Sequence, residues 1–302
     1  MSNYALGIDV GATKIAVATV SEKYVVLEKE EISTNVSSSE ELWGKIVQVS
    51  QGFMGNQAGD LLGIGIGSAG PLDVNTGTLS PVNIPFWRDF PVIELAKDLS
   101  GGAPAVLHGD ALALAHAEHK LGAGKGLTNM LGIAVSTGIG GGLVLNGKVF
   151  EGESGNSCFL GHHSINFDGR KCVCGRSGCL EAYASGPQMV AIAKELGWES
   201  DSASFVDLAE SARNGNTAAL KAIDQGAQAL AIGIVNFCGS LDINNVIIGG
   251  GVVQSGVVYW NPLQKHVEEE SKAISFLRNI KIKKAELERD AGVLGAALAI
   301  LG

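Results

Sequence analysis

Two segments of this 302-residue chain begin alike, and the likeness restricts the folds that the chain can adopt. Residues 4–20 read as a strand, a turn at Gly11 and a second strand, and residues 131–145 repeat that pattern. Gly7-Ile-Asp-Val-Gly-Ala-Thr in the first segment corresponds to Gly132-Ile-Ala-Val-Ser-Thr-Gly in the second. The repeat predicts two related α/β halves in tandem, with a cleft between them.

The rest of the chain alternates between strand and helix patterns. Residues 40–51 and 111–119 have the composition and spacing of helices, whereas residues 62–67 and 245–248 read as short buried strands. Such alternation is typical of α/β sheets that are covered by helices.

The apolar end of the chain, residues 290–301, predicts a helix too short to cross a bilayer. We expect this helix to pack back on the first half of the chain. The expected division is a small N-terminal α/β domain of residues 1–118, completed by the C-terminal helix of residues 289–302, and a large α/β domain of residues 119–288.

Charge and composition point to work on small molecules. The net charge of -9 and the absence of Lys/Arg runs exclude the basic footprint that nucleic acids and anionic membranes require. The sequence contains no apolar stretch of about twenty residues and no signal-peptide pattern after Met1. Five cysteines, three of them clustered, fit a reducing compartment. We therefore expect a cytoplasmic protein without nucleic-acid or membrane partners.

A cluster of metal-ligating side chains occupies one short segment. His162, Cys172, Cys174 and Cys179 precede Glu181, and three thiolates with one imidazole form a closed tetrahedral set for Zn²⁺. The alternative is a coincidence of buried thiols or a disulfide. The spacing favours a structural zinc site that fixes the position of Glu181.

Three glycine-rich turns follow apolar runs. Asp9, Gly11 and Thr13 form a turn that can approach phosphates and Mg²⁺, and residues 136–142 offer hydroxyls and closely spaced N–H groups to a polyphosphate. Residues 249–251 give a flat nucleobase room to lie against the backbone. Each turn alone is equally typical of an ordinary tight turn or hairpin loop.

Asp110 stands at the start of the helix predicted over residues 111–119. One interpretation is a helix N-cap. The other is a general base that takes the proton from a substrate hydroxyl as the hydroxyl attacks a γ-phosphate.

Asn83 lies in a proline-bracketed stretch with Phe86 and Trp87. One amide and two aromatic rings suit a sugar, whose hydroxyls need hydrogen bonds and whose C–H face stacks on rings. The alternative is an exposed turn with a buried aromatic anchor.

Taken in order, these motifs resemble the ROK family of bacterial sugar kinases and sugar-responsive repressors over essentially the whole chain. They are Asp-x-Gly-x-Thr, the second glycine-rich loop, Gly-His followed by Cys-x-Cys-Gly-x-x-Gly-Cys-x-Glu, and Asp-Ala-Gly-x-x-Gly-Ala-Ala. The resemblance implies a two-domain actin-like (ribonuclease-H-like) ATPase fold with the sugar in the interdomain cleft. It implies ATP, Mg²⁺ and a structural Zn²⁺, and we expect a homodimer or homotetramer.

The resemblance also implies residue roles, with Asp110 as the catalytic base. The expected metal ligands are His162, Cys172, Cys174 and Cys179. The expected sugar-binding residues are Gly70, Asn83, Gly109, Asp110, Phe159, His162 and Glu181. The expected nucleotide-binding residues are Asp9, Gly11, Thr13, Lys14, Thr137, Gly138, Gly249, Gly250 and Gly251.

Two positions depart from the family pattern. Gly109 replaces an Asn that commonly precedes the catalytic Asp, and Phe159 replaces a Glu three residues before His162. Both family residues hydrogen-bond sugar hydroxyls, so this pocket is less polar and suits an altered hexose better than glucose. His108 and His163 are either substitute polar partners or structural histidines.

The sequence therefore predicts an ATP-dependent kinase that phosphorylates the primary hydroxyl of a hexose or hexose derivative. One alternative is a non-catalytic sugar-binding sensor of the same fold. Another is a kinase that uses a different phosphoryl donor, such as polyphosphate.

Overall fold

A computed structural model describes residues 2–11, 13–82, 84–202 and 204–302. The first half of the chain forms a five-stranded sheet in the order β3-β2-β1-β4-β7, with β5 and β6 paired separately. Its strands are β1 (Tyr4–Val10), β2 (Lys14–Ser21), β3 (Val26–Ser33), β4 (Leu61–Ser68), β5 (Leu72–Asp73), β6 (Thr78–Leu79) and β7 (Ala105–Gly109).

The second half forms another five-stranded sheet, in the order β10-β9-β8-β11-β12. Its strands are β8 (Met130–Val135), β9 (Ile139–Leu145), β10 (Lys148–Val149), β11 (Asn245–Gly249) and β12 (Lys281–Lys284). In both sheets an antiparallel hairpin, β1–β2 or β8–β9, is extended by two strands that run parallel to its first strand. The tandem α/β repeat predicted from the two glycine turns is confirmed.

Nine helices are described in the two halves of the chain. They are α1 (Ser39–Asn56), α2 (Val92–Leu99), α3 (Asp110–Leu121), α4 (Glu181–Ala184), α5 (Gly186–Glu195), α6 (Phe205–Arg213), α7 (Thr217–Leu241), α8 (Val257–Ser271) and α9 (Ala291–Leu301). The predicted helices at 40–51 and 111–119 lie within α1 and α3. Of the helices described, not one is long and apolar enough to cross a membrane.

The elements that the sequence patterns did not predict include β3 and the helices α5–α8. β3 is the edge of its sheet and carries four consecutive charged residues, 28–31, which mask the alternation of a half-buried strand. α7 is rich in alanine and buries residues along most of its length, so it shows little amphipathic contrast.

Close helix packing places the start of α3 at the cleft. A Cβ on Gly142 of β9 would lie 2.7 Å from the Cα of Leu112, and one on Gly295 of α9 would lie 2.8 Å from the Cα of Ala113. Side chains at either glycine would push α3 away from its neighbours. The two glycines thus fix the helix whose first residue is Asp110.

Candidate active site

A cavity of ≈ 680 Å³ lies between the two sheets and gathers residues that are distant in sequence. Its walls come from the end of β1, the start of α3, the β8–β9 turn, the Cys-rich loop and the start of α9. The expected site residues that line it are Asp9, Gly11, Thr13, Lys14, Gly70, Gly109, Asp110, Thr137, Gly138, Phe159, His162, Cys172, Cys174, Glu181 and Gly250.

Among the described residues, three that were expected at the site do not line the cavity, namely Cys179, Gly249 and Gly251. Asn83 lies outside the described residues. Cys179 is fully buried behind the wall. Gly249 ends β11, where a Cβ would lie 3.0 Å from that of Ala285, so its small size serves packing. Gly251 is exposed next to Gly250.

Asp110 is the first residue of α3, and the N-cap is Gly109, so the N-cap interpretation of Asp110 does not hold. Its Oδ1 accepts a hydrogen bond from the Ala111 N–H at 2.7 Å. Burial raises the pKa of Asp110. Hydrogen bonds from backbone N–H groups oppose the rise, and the negative charge of Glu181 adds to it. A carboxylate with raised proton affinity beside a cavity has the properties of a general base.

Asp9 lies at the carboxyl end of β1, next to the same cavity. Burial raises its pKa to about 7, and the charge of Asp110 adds to this effect against the opposing charges of Lys29 and Lys14. A buried ionised carboxylate needs a cationic partner. Because Mg²⁺ prefers carboxylate oxygens and phosphates, the side chain of Asp9 fits a magnesium–nucleotide site.

The Cys-rich loop folds its four expected metal ligands together. The donor atoms of His162, Cys172, Cys174 and Cys179 all lie within 4.8 Å of one another. Cys174 Sγ is 3.6 Å from Cys179 Sγ, and Cys172 Sγ is 3.5 Å from His162 Nδ1. All five cysteines are free, and no disulfide joins them in this arrangement. Ligands about 2.3 Å from a tetrahedral Zn²⁺ would be about 3.8 Å apart, so the donor set fits zinc.

Glu181 connects this loop to the β8–β9 turn. It begins α4, two residues after Cys179, and its Oε2 accepts a hydrogen bond from the Ile139 N–H at 2.8 Å. A Cβ on Gly138 would lie 2.7 Å from the same oxygen. The position of the metal loop is therefore tied to that of the glycine-rich turn.

The two positions that depart from the family pattern face open or apolar space. The Phe159 ring is 45% exposed and lies 4.8 Å from the His162 ring. A Cβ on Gly109 would meet nothing within 4 Å. His108 does not line the cavity: its ring is buried, and its Nε2 lies 3.1 Å from Oε1 of the half-exposed Glu151.

Of the two aromatic residues expected to stack on a sugar near Asn83, Trp87 does not face the cavity. Trp87 is fully buried and stacks on Phe90 at a ring-centroid distance of 4.2 Å. It is the buried anchor that the alternative interpretation described. The hydrophobic character that suggested sugar stacking comes instead from core packing.

Sequence reasoning missed several polar residues of the cavity wall. Asn156 donates from Nδ2 to the Leu72 carbonyl at 2.7 Å and accepts at Oδ1 from the Leu72 N–H at 3.2 Å, which holds the loop after Gly70. Asn156 lies in Gly155-Asn156-Ser157, and this composition, which is typical of turns, is the only sign of its role in the sequence. Lys171 and Arg289 also line the cavity.

The ROK family model matches residues 5–301. A glucokinase from Thermotoga maritima is 32% identical over 98% of this chain and 96% of its own length, and an N-acetylmannosamine kinase from Yersinia pestis is 32% identical over 97% of each. The ROK hexokinase structure from Thermus thermophilus superposes with a TM-score of 0.87 at 32% identity, covering 98% of this chain and 97% of that chain.

A second structure, a ROK family glucokinase from Streptomyces griseus in complex with glucose and AMPPNP, has a TM-score of 0.85 at 29% identity and covers 98% and 99% of the two chains. Fold and cavity define a two-domain actin-like ATPase with an interdomain cleft. The chain belongs to the ROK family and is a sugar kinase.

Proposed function

We propose that the protein transfers the γ-phosphoryl group of ATP to the primary hydroxyl of a hexose or hexose derivative, with Asp110 as the general base. The observation that carries this proposal is the position of Asp110, at the start of α3 and in the same cavity as Asp9 and the β8–β9 turn. The relatives named above include kinases of glucose and of N-acetylmannosamine, so both kinds of hexose are candidates.

In this mechanism the sugar hydroxyl donates a hydrogen bond to the Asp110 carboxylate. As the hydroxyl oxygen bonds to the γ-phosphorus, the bond between the γ-phosphorus and the oxygen that bridges it to the β-phosphate breaks. The hydroxyl proton passes to Asp110, and ADP leaves. The raised pKa of Asp110 strengthens its hold on that proton. N–H groups of the β8–β9 turn, including Thr137 and Gly138, would bind phosphate oxygens.

Asp9 would hold the Mg²⁺, which neutralises phosphate charge when it is bound. His162, Cys172, Cys174 and Cys179 would hold a structural Zn²⁺. Through Glu181 this metal would fix the hydrogen bond to Ile139 and hence the glycine-rich turn.

The apolar ring of Phe159 and the open space beside Gly109 favour a hexose that differs from glucose on these two sides. A pocket that offers fewer buried polar groups leaves fewer of them unpaired when a hydroxyl is absent or substituted.

We further propose a cytoplasmic homodimer or homotetramer, divided into residues 1–118 with 289–302 and residues 119–288. The five free cysteines are consistent with a reducing compartment. α9 packs on β1 and β4 of the first sheet, which supports the assignment of the C-terminal helix to the small domain.

A panel of sugars with Mg²⁺ and either ATP or polyphosphate tests the function. We expect ADP release that depends on one class of hexose and on Mg²⁺. Tight sugar binding without turnover would establish the sensor instead, and turnover with polyphosphate alone would establish the other donor.

A further inference from the structure

Two cationic side chains line the cleft without a hydrogen bond or ion pair to any other described residue. They are Lys171, on the metal loop, and Arg289, two residues before the start of α9. A third cation in the cleft, Lys14, is already paired with Glu31 at 2.6 Å. The Arg289 side chain therefore has no described hydrogen-bond or ion-pair partner. It lies three residues before Gly292, which also lines the cleft.

That part of the cleft is the one that holds Asp9. Gly292 packs against the Asp9 carboxylate, and Arg289 precedes it by three residues. The charge of Arg289 also acts on Glu31. The pKa of the Glu31 carboxyl is lowered mainly by the hydrogen bond from Lys14, and then by the charges of Lys14, Lys29 and Arg289. Arg289 thus lies near the residues expected to hold magnesium and phosphates.

The segment that carries Arg289 is anchored by a fully buried carboxylate. Glu118, near the end of α3, accepts hydrogen bonds at Oε1 from the N–H groups of Glu286 at 2.9 Å and Leu287 at 2.8 Å. Its Oε2 accepts a third, from the Ala123 N–H at 2.9 Å. Three backbone donors satisfy this buried charge and fix the chain at residues 286–287.

A second anchor follows on the other side of Arg289. Lys29 Nζ donates to the Arg289 carbonyl at 2.7 Å and to Asp290 Oδ1 at 2.9 Å. Between the anchors, Glu288 has φ +46°, in the left-handed region that side chains rarely adopt. Such a conformation persists where the surroundings determine it, and here hydrogen bonds on both sides do so.

We propose that Arg289 binds phosphate oxygens of the nucleotide donor and that Glu118 is a positioning residue for the segment that presents it. A guanidinium group matches phosphate geometry with two parallel hydrogen bonds and is always charged. The inference rests on the proposed function, because it takes the Asp9 end of the cleft as the donor end.

Calorimetric titration of the metal-loaded protein with Mg²⁺–AMPPNP, without sugar, tests the contact directly. Arg289→Gln should raise the Kd about tenfold, as expected for one charge-assisted contact in a solvated cleft. Arg289→Lys should give an intermediate Kd, because it keeps the charge and loses the planar fork. The matched control is Arg278→Gln, since Arg278 lies outside the cleft and donates to the Lys272 carbonyl; its Kd should not change.

Glu118→Gln separates positioning from a general structural role. A Gln places an NH₂ group where at least one backbone N–H now donates, so the segment shifts and the nucleotide Kd should rise several-fold. The KM for the sugar should stay within about twofold of the parent. If Glu118 acts through Arg289, adding Glu118→Gln to Arg289→Gln should raise the nucleotide Kd little further.

If Arg289→Gln binds Mg²⁺–AMPPNP with the Kd of the parent, the inference is overturned and the kinase proposal stays intact. If the parent binds AMPPNP but phosphorylates no sugar, the kinase proposal fails while the Arg289 comparison still decides the inference. A parent that binds no nucleotide overturns both. Equal losses in Glu118→Gln for nucleotide and sugar overturn the positioning role.

Discussion

Gly292 lies against the side chain of Asp9 so closely that a Cβ there would meet both carboxylate oxygens, the farther one at 3.1 Å. The first strand and the last helix of the chain therefore meet at one carboxylate. This contact explains why the motif Asp-Ala-Gly-x-x-Gly-Ala-Ala at the end of the chain accompanies Asp-x-Gly-x-Thr at its beginning.

Gly292→Ala should weaken both the fold and nucleotide use, because the methyl group displaces Asp9 or α9. We expect a loss of about 1–3 kcal/mol in the free energy of unfolding, as for other overpacked sites. Denaturant unfolding and the KM for ATP measure the two effects. The control is Gly44→Ala in α1, where a Cβ meets nothing within 4 Å; unchanged stability in both variants would contradict the contact.

The ionisation of Asp9 gives a pH dependence to the metal-free protein. Its ordinary pKa is 3.8 and burial raises it to about 7, so the folded state holds a proton that the unfolded state releases. This contribution to stability is complete below about pH 4 and is lost as the pH rises to about 7, on the order of 4 kcal/mol in all.

Mg²⁺ should offset that loss, so the rise in Tm on adding Mg²⁺ should be larger at pH 8 than at pH 5. Differential scanning calorimetry with and without EDTA measures it. Asp9→Asn should remove most of the pH dependence of the magnesium effect. An equal rise at both pH values in the parent would show that Asp9 does not hold the ion.

Asp110→Asn should lower kcat by about 10² to 10⁴ or more while sugar affinity and Tm stay near the parent's. The amide keeps the shape of the side chain and cannot take the proton. Steady-state kinetics and sugar titration measure the separation. Asp98→Asn, at an exposed position of α2, is the matched control; parental turnover in Asp110→Asn would place the base elsewhere.

The metal loop should contain one zinc per chain by elemental analysis. Cys179→Ser should release it and lower both Tm and kcat, because the loop holds Glu181 against the Ile139 N–H. Cys238→Ser removes another buried thiol outside the cluster and should cost stability without changing the metal content. A zinc-free parent with full activity and stability would contradict the site.

The sequence was sufficient for features whose residues lie close together in the chain. The spacing of Cys172, Cys174 and Cys179 gave the metal cluster, and the repeated hairpin pattern gave the two sheets. Features that depend on packing could not be found this way. The burial of Trp87 is set by its stacking on Phe90 and its surroundings, so the same ring suggested a sugar platform in the sequence.

Glu118 shows the same limit for polar residues. Within its helix it is an ordinary Glu, and only the fold brings it to the N–H groups of Glu286 and Leu287, 168 and 169 residues away. Local pattern gives no sign of such a long-range contact. The small size of Gly249 likewise has a reason that only the fold shows, because a Cβ there would lie 3.0 Å from that of Ala285.

Glucose should be a poor substrate, and the reason lies on two sides of the pocket. Phe159 presents a ring in place of a carboxylate beside His162, and Gly109 leaves open space in place of an amide. Each hydroxyl that sugar binding buries without a partner costs about 1–3 kcal/mol of binding. We therefore expect a higher kcat/KM for a derivative altered on one of these sides, or for another hexose.

The double variant Phe159→Glu with Gly109→Asn tests this reasoning, because it should gain activity toward glucose. Gly109 has room for the amide, and Phe159 is exposed enough for a carboxylate to remain solvated. Values of kcat/KM for glucose, mannose, N-acetylated hexosamines, fructose, allose and amino or deoxy sugars should shift toward glucose in the variant. If the parent already prefers glucose and the variant gains nothing, other residues of the cleft supply the missing hydrogen bonds.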